Sequence, residues 1–219
     1  MPSTPRTSPR SSLYLVTPPL SAAGADAFGR IFAEALEAAP VACALVRLAP
    51  GSEPHAEAIV APLLRPAVNA GSALLIENDA RLAHRLGADG VHVAGAGEEL
   101  SAAIKRLKPD RIVGAGSLST RDEAMTAGEM GADYVMFGEP HEGMRTMSLA
   151  SLAERVAWWA EIFETPCVAY ADTLEAASEL ADAGADFVAL GEAIWGASSP
   201  AGAAREAQAL ILSMGEAIR

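Results

Sequence analysis

Gly-Ala-Asp occurs at 87–89, 131–133 and 184–186, each time behind a helical pattern and ahead of an apolar run, Val91–Val93, Tyr134–Phe137 and Phe187–Leu190. Such punctuation marks one strand–helix–strand unit used repeatedly. Residues 73–93 show the unit whole. Ala73–Ile76 is a short apolar run that ends in Glu77, Asn78 and Asp79. Asn78 or Asp79 can cap a helix, because a side-chain oxygen there accepts from the unsatisfied N–H groups of the first turn. Leu82 and Leu86, four apart, give that helix a buried edge. Gly87 suits the left-handed residue that ends it, and Val91 and Val93 begin the next strand. Two strands joined by one helix form a parallel pair, since a parallel pair needs a crossover. The polar groups at 77–79 therefore stand where a parallel strand hands over to its helix, the end at which such folds carry their chemistry.

The alternation runs through the chain. Strands are expected at Leu13–Val16, stopped by Pro18 and Pro19, then at Val41–Leu48, Ala73–Ile76, Val91–Val93, Arg111–Ala115, Asp133–Phe137, Pro166–Ala171 and Phe187–Leu190. Helices are expected at about Ala23–Ala39, Glu53–Asn69, the Leu82–Leu86 segment, Glu98–Leu107, a stretch ending at Met130, Leu174–Ala183 and Pro200–Met214. One more carries Leu149, Leu152, Val156, Trp159, Ile162 and Phe163 on one face. Residues 1–12 hold Pro2, Pro5 and Pro9, several Ser and Thr, and Arg6 and Arg10, with no apolar core for a signal peptide. They read as a disordered tail. Eight strands alternating with eight helices on short loops, in a chain that is 51% apolar, read as a single-domain α/β (β/α)₈ TIM barrel over residues 13–219.

Sixteen Lys and Arg against 28 Asp and Glu leave a net charge of −12. A balance this acidic argues against nucleic acid and anionic membranes as partners, or serves solubility alone, and no apolar run reaches the ~20 residues of a membrane span. The expected partner is a small-molecule substrate. Cys43 and Cys167 both fall in apolar strand runs and read as buried thiols in a reducing cytoplasm. No Cys/His cluster has zinc spacing.

The strand C-termini hold few chemical groups: Arg47, the 77–79 cluster, His92, Gly95, Gly97 and Glu98, then Gly116 and Ser117, Glu139 and His141, Tyr170 and Asp172, Gly191 and Glu192. Asp79 is either a metal ligand or a helix cap. Arg47 is either an anion clamp or the ion-pair partner of Glu77 or Asp79. His92 is either a general acid or base or a hydrogen-bonded barrel histidine, and His141 is either catalytic or a loop residue between two glutamates. Trp158, Trp159 and Trp195 read as packing or as the face of a homodimer.

Leu13-Tyr14-Leu15-Val16-Thr17, the segment Glu77–Ala83, Gly87-Ala88-Asp89-Gly90-Val91-His92, Ile112-Val113-Gly114 and Gly131-Ala132-Asp133-Tyr134-Val135 resemble, in order, segments of the thiamine phosphate synthases, a family that includes thiazole tautomerases. The resemblance implies a transferase that joins a pyrimidine-methyl diphosphate to a thiazole phosphate and releases diphosphate, using Mg²⁺. It implies metal ligation by Asp79, with Glu98 beside Gly97, where the family has a second Asp. It implies substrate contacts from Arg47, Asn78, Gly138 and Gly191, and catalytic roles for Asn78, Ser117 and His92. Leu48 and Ala49 stand where the family has Glu and a diphosphate-binding Lys. Gly116 stands at the serine after the fifth strand, with Ser117 adjacent. Glu139-Pro140-His141-Glu142 replaces a Thr-x-Thr-Lys loop, Ala171-Asp172 a Gly-Gly pair, and Glu192 a serine. Leu118 holds the place of the tautomerase histidine. These replacements add carboxylates where phosphate is held, and two unit charges at 4 Å repel by about 4 kcal/mol at an effective dielectric near 20. The same residues therefore suit a second reading, a barrel of this family that binds a cationic or neutral small molecule. A third is a tautomerase-like isomerase using His92 or His141.

Overall fold

The computed structural model describes residues 11–140 and 147–213; the readings made for residues 1–10 of the 1–12 tail, for His141 and Glu142, and for Met214 fall outside them, whereas Ser11 is buried and Ser12 opens the first strand. Eight parallel strands close a barrel in sequence order. They are β1 (Ser12–Leu20), β2 (Val41–Leu48), β3 (Ala73–Glu77), β4 (Gly90–Ala94), β5 (Ile112–Gly116), β6 (Tyr134–Phe137), β7 (Cys167–Ala171) and β8 (Phe187–Leu190). Outside them lie α1 (Ala25–Ala38), α2 (Ala56–Ala70, led in by a tight helical turn at Glu53–His55), α3 (Ala80–Leu86), α4 (Glu98–Leu107), α5 (Arg121–Met130), α6 (Leu149–Ile162), α7 (Leu174–Asp182), the short α8 (Glu192–Trp195) and α9 (Pro200–Ser213). Strands covered on both faces need apolar side chains on both. One set, including Leu13, Leu15, Ala44, Val46, Val91 and Val135, packs against the helices. The other, including Tyr14, Val16, Leu45, Leu75, Tyr134, Met136 and Tyr170, fills the interior.

The repeated Gly-Ala-Asp is a clamp at the strand starts. Gly87, Gly131 and Gly184 adopt φ of 73°, 97° and 98°, the left-handed turn that ends a helix. The next N–H reaches back to the helix, Ala88 to Ala83 O (3.0 Å), Ala132 to Ala127 O (3.1 Å) and Ala185 to Leu180 O (3.2 Å). The aspartate then bonds the preceding strand twice. The N–H groups of Asp89, Asp133 and Asp186 donate to the carbonyls of Leu74, Val113 and Cys167. Their carboxylates accept, each at 2.8 Å, from the N–H groups of those same three residues. The pairs β3/β4, β5/β6 and β7/β8 are thus tied at their N-terminal ends.

Three expectations need correction. β1 does not stop at Pro18-Pro19 but runs to Leu20. It pairs with β8 only as far as Leu15, and its register against β2 shifts between Val16 and Pro19. Its last residues thus form an edge with a bulge, where the missing N–H of proline is tolerated. The one-faced stripe proposed for α6 is narrower than read: Leu152, Val156 and Trp159 are buried, whereas Leu149 and Ile162, at its two ends, are 36% and 57% exposed. Finally, α8 is an extra helical turn, held by the Trp195 indole N–H donating to Val16 O at 2.7 Å.

Candidate active site

The chemistry-bearing groups gather inside the upper half of the barrel, around His92 on β4. The imidazole is 1% exposed. Its Nδ1 lies 2.7 Å from the Tyr134 hydroxyl on β6, which is 3.0 Å from the Tyr14 hydroxyl on β1. The His92 and Tyr134 rings stack with centroids 5.6 Å apart. Gly114 on β5 makes room for this, since a Cβ there would lie 2.0 Å from the Tyr134 ring. Burial pushes the Tyr14 and Tyr134 phenols well above their ordinary range, with further upward pressure from Cys43, so both stay neutral. Burial likewise pushes up the Cys43 thiol.

The other imidazole edge meets the loop after β6. His92 Nε2 is 3.3 Å from Glu139 Oε2, and Glu139 is 7% exposed. The same oxygen accepts from the Ser117 N–H (3.2 Å) and the Ser117 hydroxyl (3.4 Å). Gly116 is necessary for this contact: a Cβ there would lie 2.2 Å from His92 Nε2 and 2.5 Å from Glu139 Oε2. Ser117 and Asn78 are the two non-glycine residues with positive φ, 53° and 58°, among the described residues. Backbone strain of this kind collects at sites that hold groups in place for a purpose.

Asn78 is fixed by two bonds across the β3–β4 seam. Its N–H donates to His92 O at 2.7 Å, and its Oδ1 accepts from the Ala94 N–H at 2.9 Å. Of the two candidate caps, Asp79 is the one used: its Oδ1 accepts from the N–H groups of Arg81 (3.1 Å) and Leu82 (2.8 Å). Arg47 takes the ion-pair arrangement, Nε to Glu77 Oε1 at 3.1 Å, both half-buried, and its N–H donates to Thr17 Oγ1. Glu98 is exposed in the first turn of α4. Gly138 turns with φ of 79°, under Leu152 and the Tyr170 carbonyl. A Cβ on Gly191 would come within 2.5 Å of the Tyr170 hydroxyl. Burial first, then the Asp172 carboxylate, raises the Tyr170 phenol, while a hydrogen bond from the Glu192 backbone acts the other way.

The structure therefore brings Asn78, His92 and Ser117 into one connected set and leaves Arg47, Asp79 and Glu98 on the rim. Sequence reasoning missed Tyr14 and Tyr134 as its partners, and took Glu139 only as part of an acidic mouth. Strands apolar on both faces hide the alternation that would have pointed two tyrosines inward.

A family profile described as thiamine monophosphate synthase matches residues 13–194. The chain belongs to that family. A thiamine-phosphate synthase of Rhodospirillum centenum is 41% identical over 197 residues, 88% of this chain and 92% of the relative. One from Hyphomonas neptunium is 36% identical over 94% of this chain and 96% of the relative. Among solved structures, the thiamine phosphate pyrophosphorylase of Pyrococcus furiosus superposes with a TM-score of 0.77 at 22% identity, over 92% of this chain and 96% of that one, a likeness of fold.

The rim carries several carboxylates, among them Glu77, Asp79 and Glu98. Asp172 and Glu192, both exposed, stand beside Tyr170 and Gly191, the quarter where barrels often seat a phosphate. Among the described residues no three His, Cys, Asp or Glu side chains gather in a way that could hold a metal ion. Mg²⁺ does not require such a cage, since it usually takes one or two carboxylates and completes its shell with water and substrate phosphates. Asp79 and Glu98 open the helices that follow the paired strands β3 and β4. No helix among the described residues is long and apolar enough to cross a membrane.

Proposed function

We propose that the protein is a cytoplasmic thiamine-phosphate synthase, joining a hydroxymethylpyrimidine diphosphate to a thiazole phosphate with release of diphosphate. The observation that carries the reading is the Asn78–Asp79 pair: in a chain matched to this family nearly throughout, the strained Asn78 backbone is pinned to His92 and Ala94 at the end of β3. Departure of diphosphate leaves a cation-like pyrimidine and a concentrated negative charge, so the task is to hold charge in a fixed, dry setting. Asn78 and Arg47 would contact the diphosphate, the latter as a guanidinium held at the end of β2 by Glu77. Gly138 and Gly191 let backbone approach the substrates closely. Mg²⁺ held by Asp79 and Glu98 would neutralise charge on the leaving group. The floor of Tyr14, Leu75, Tyr134 and Met136 keeps water from capturing the pyrimidine cation. Purified protein given Mg²⁺ and both phosphorylated substrates should release diphosphate and form thiamine phosphate; no product overturns the reading. A homodimer through α6 fits it, and sedimentation tests that.

A second reading rests on one observation, the pairing of Arg47 with Glu77 opposite a rim carrying Asp172 and Glu192. A mouth so charged suits a cationic or neutral ligand. Thermal shifts with thiamine and simple amines, against phosphorylated ligands, separate the two. Stabilisation by phosphorylated ligands alone removes the second.

A further inference from the structure

The mouth between β7 and β8 is closed by a side chain of the barrel itself. Tyr170 points inward from β7, opposite Ala189 of β8, and is 8% exposed. Its hydroxyl stands over the turn that follows β8: a Cβ on Gly191 would lie 2.5 Å from that oxygen and 3.4 Å from Val16 O. The Glu192 N–H donates to the same hydroxyl. The turn has little freedom to move away. The Gly191 carbonyl accepts from the N–H groups of Ile194 (2.9 Å) and Trp195 (3.1 Å), and the Trp195 indole N–H is bonded to Val16 O. A fixed backbone donor at the end of β8 is therefore already taken by a neutral phenol.

The loops after the seventh and eighth strands are where barrels of this kind often seat a phosphate. Here a phosphate has to displace the Tyr170 hydroxyl before it can reach the Glu192 N–H. It also approaches the exposed carboxylates of Asp172 and Glu192, while the Arg47 guanidinium is paired with Glu77. A ligand ending in a hydroxyl carries no charge and has no need of that donor. In the transfer, the thiazole nitrogen bonds the pyrimidine methylene carbon as the carbon–oxygen bond to diphosphate breaks, and diphosphate leaves with the electron pair. The thiazole phosphate takes no part in that exchange, so the alcohol can undergo the same step.

We infer that Tyr170 is a specificity-determining residue: by holding the Glu192 N–H, its hydroxyl disfavours a phosphate at this end of the second substrate and admits the corresponding alcohol. The inference deepens the transferase reading and rests on it for the thiazole nature of that substrate. Discrimination here comes from an element that opposes one ligand, not from one that attracts the other.

Calorimetry on the full chain, with the thiazole phosphate and the thiazole alcohol, tests this without turnover. The wild-type chain should bind the alcohol at least as tightly as the phosphate. Tyr170→Phe keeps the ring over Gly191 and releases the Glu192 N–H. Affinity for the phosphate should rise about tenfold, while affinity for the alcohol changes by less than about threefold. A merely structural role at 170 would weaken both ligands together. Tyr170→Met also lacks the hydroxyl and is flexible enough to refill the space; it should shift the ratio the same way, giving a second route should the phenylalanine variant fail to fold. A wild-type preference of about tenfold or more for the phosphate, failure of both ligands to bind, or an unchanged ratio in a folded variant of either kind overturns the inference. If the ratio and its response to Tyr170→Phe hold, but neither thiazole condenses with the pyrimidine diphosphate, the transferase reading falls instead.

Discussion

The two ends of this barrel are built on opposite plans. At the strand starts one device is used three times: a left-handed glycine, a buried alanine, and an aspartate whose backbone and carboxylate both bond the preceding strand. At the strand ends nothing repeats. β3 ends in an asparagine strained to φ 58°, β5 in a strained serine, β6 in a buried glutamate, and β8 in a glycine under a tyrosine. Repetition is what a closed, self-similar sheet needs for stability. At the other end Asn78, Ser117 and Glu139 are arranged around His92. Conserving one end while varying the other is the general economy of such barrels.

The comparison breaks most easily at the mouth, where the largest effects are expected. Asn78→Gly preserves the left-handed backbone and removes the amide. Turnover should fall about 10²–10³-fold, the usual consequence of deleting one preorganised contact to developing charge, while stability drops by no more than about 1 kcal/mol for the lost Ala94 bond. Asp79→Ser keeps a capping oxygen of equal quality but no charge. Urea unfolding should shift by less than about 0.5 kcal/mol while the Mg²⁺ concentration needed for activity rises. If either variant turns over normally, the role proposed for that residue is wrong.

The same contrast explains what the sequence disclosed. The Gly-Ala-Asp units are contiguous, so both the barrel and its period were legible from residues three apart. Asp79 as cap, and Arg47 with Glu77, were within reach for the same reason of local geometry, although alternatives stood beside each. The Tyr14–Tyr134–His92–Glu139–Ser117 chain was not legible: its members come from four strands and the loops that follow them, β1, β4, β5 and β6, with the two bonded tyrosines 120 residues apart. Glu139 looked like one more acid on a rim until Gly116 was seen to open the space beside it. Pro18-Pro19 misled because a rule about interior strands was applied to a segment paired on one side only.

At the bottom the expected effects are smaller and purely structural. Asp89→Ala, Asp133→Ala and Asp186→Ala each orphan a strand N–H at the barrel base, costing about 1–3 kcal/mol. Asp133 also pairs with Lys108, but both side chains are about one-third exposed, so that pair adds little. The clamps share no residue, and the costs should add within about 0.5 kcal/mol. Turnover of the surviving folded protein should stay within about twofold of wild type if the ends are insulated from one another. A tenfold loss from any of the three would dissolve the distinction.

Alkaline pH probes the interior between the two ends. Tyr14 and Tyr134 are held protonated by burial far above the ordinary phenol range. Above about pH 10 the unfolded chain releases these protons while the folded one keeps them, so stability is complete below that pH and declines as pH rises. Each phenol contributes a slope of up to about 1.4 kcal/mol per pH unit. Tyr134→Phe should be less stable at neutral pH, having lost the His92 and Tyr14 bonds, but should show a shallower alkaline decline. A decline of unchanged steepness would mean that other groups govern it.

The smallest effect sharpens the comparison from the opposite side. Gly87, Gly131 and Gly184 share the left-handed turn, and a Cβ at 87 or 131 meets nothing within 4 Å. At 184 it comes 3.1 Å from the Ala160 methyl. Conformation alone therefore sets the cost at the first two sites, about 1 kcal/mol for alanine and less for asparagine, which tolerates this region better. Position 184 adds a steric increment on top. Gly87→Asn, Gly87→Ala and Gly184→Ala should thus rank in that order of increasing instability by urea denaturation, with kinetics unchanged. Equal costs at 87 and 184 would show that α6 yields freely against the β8 turn. A change in turnover from Gly87→Asn would show instead that strain at the foot of β4 travels up the strand to His92.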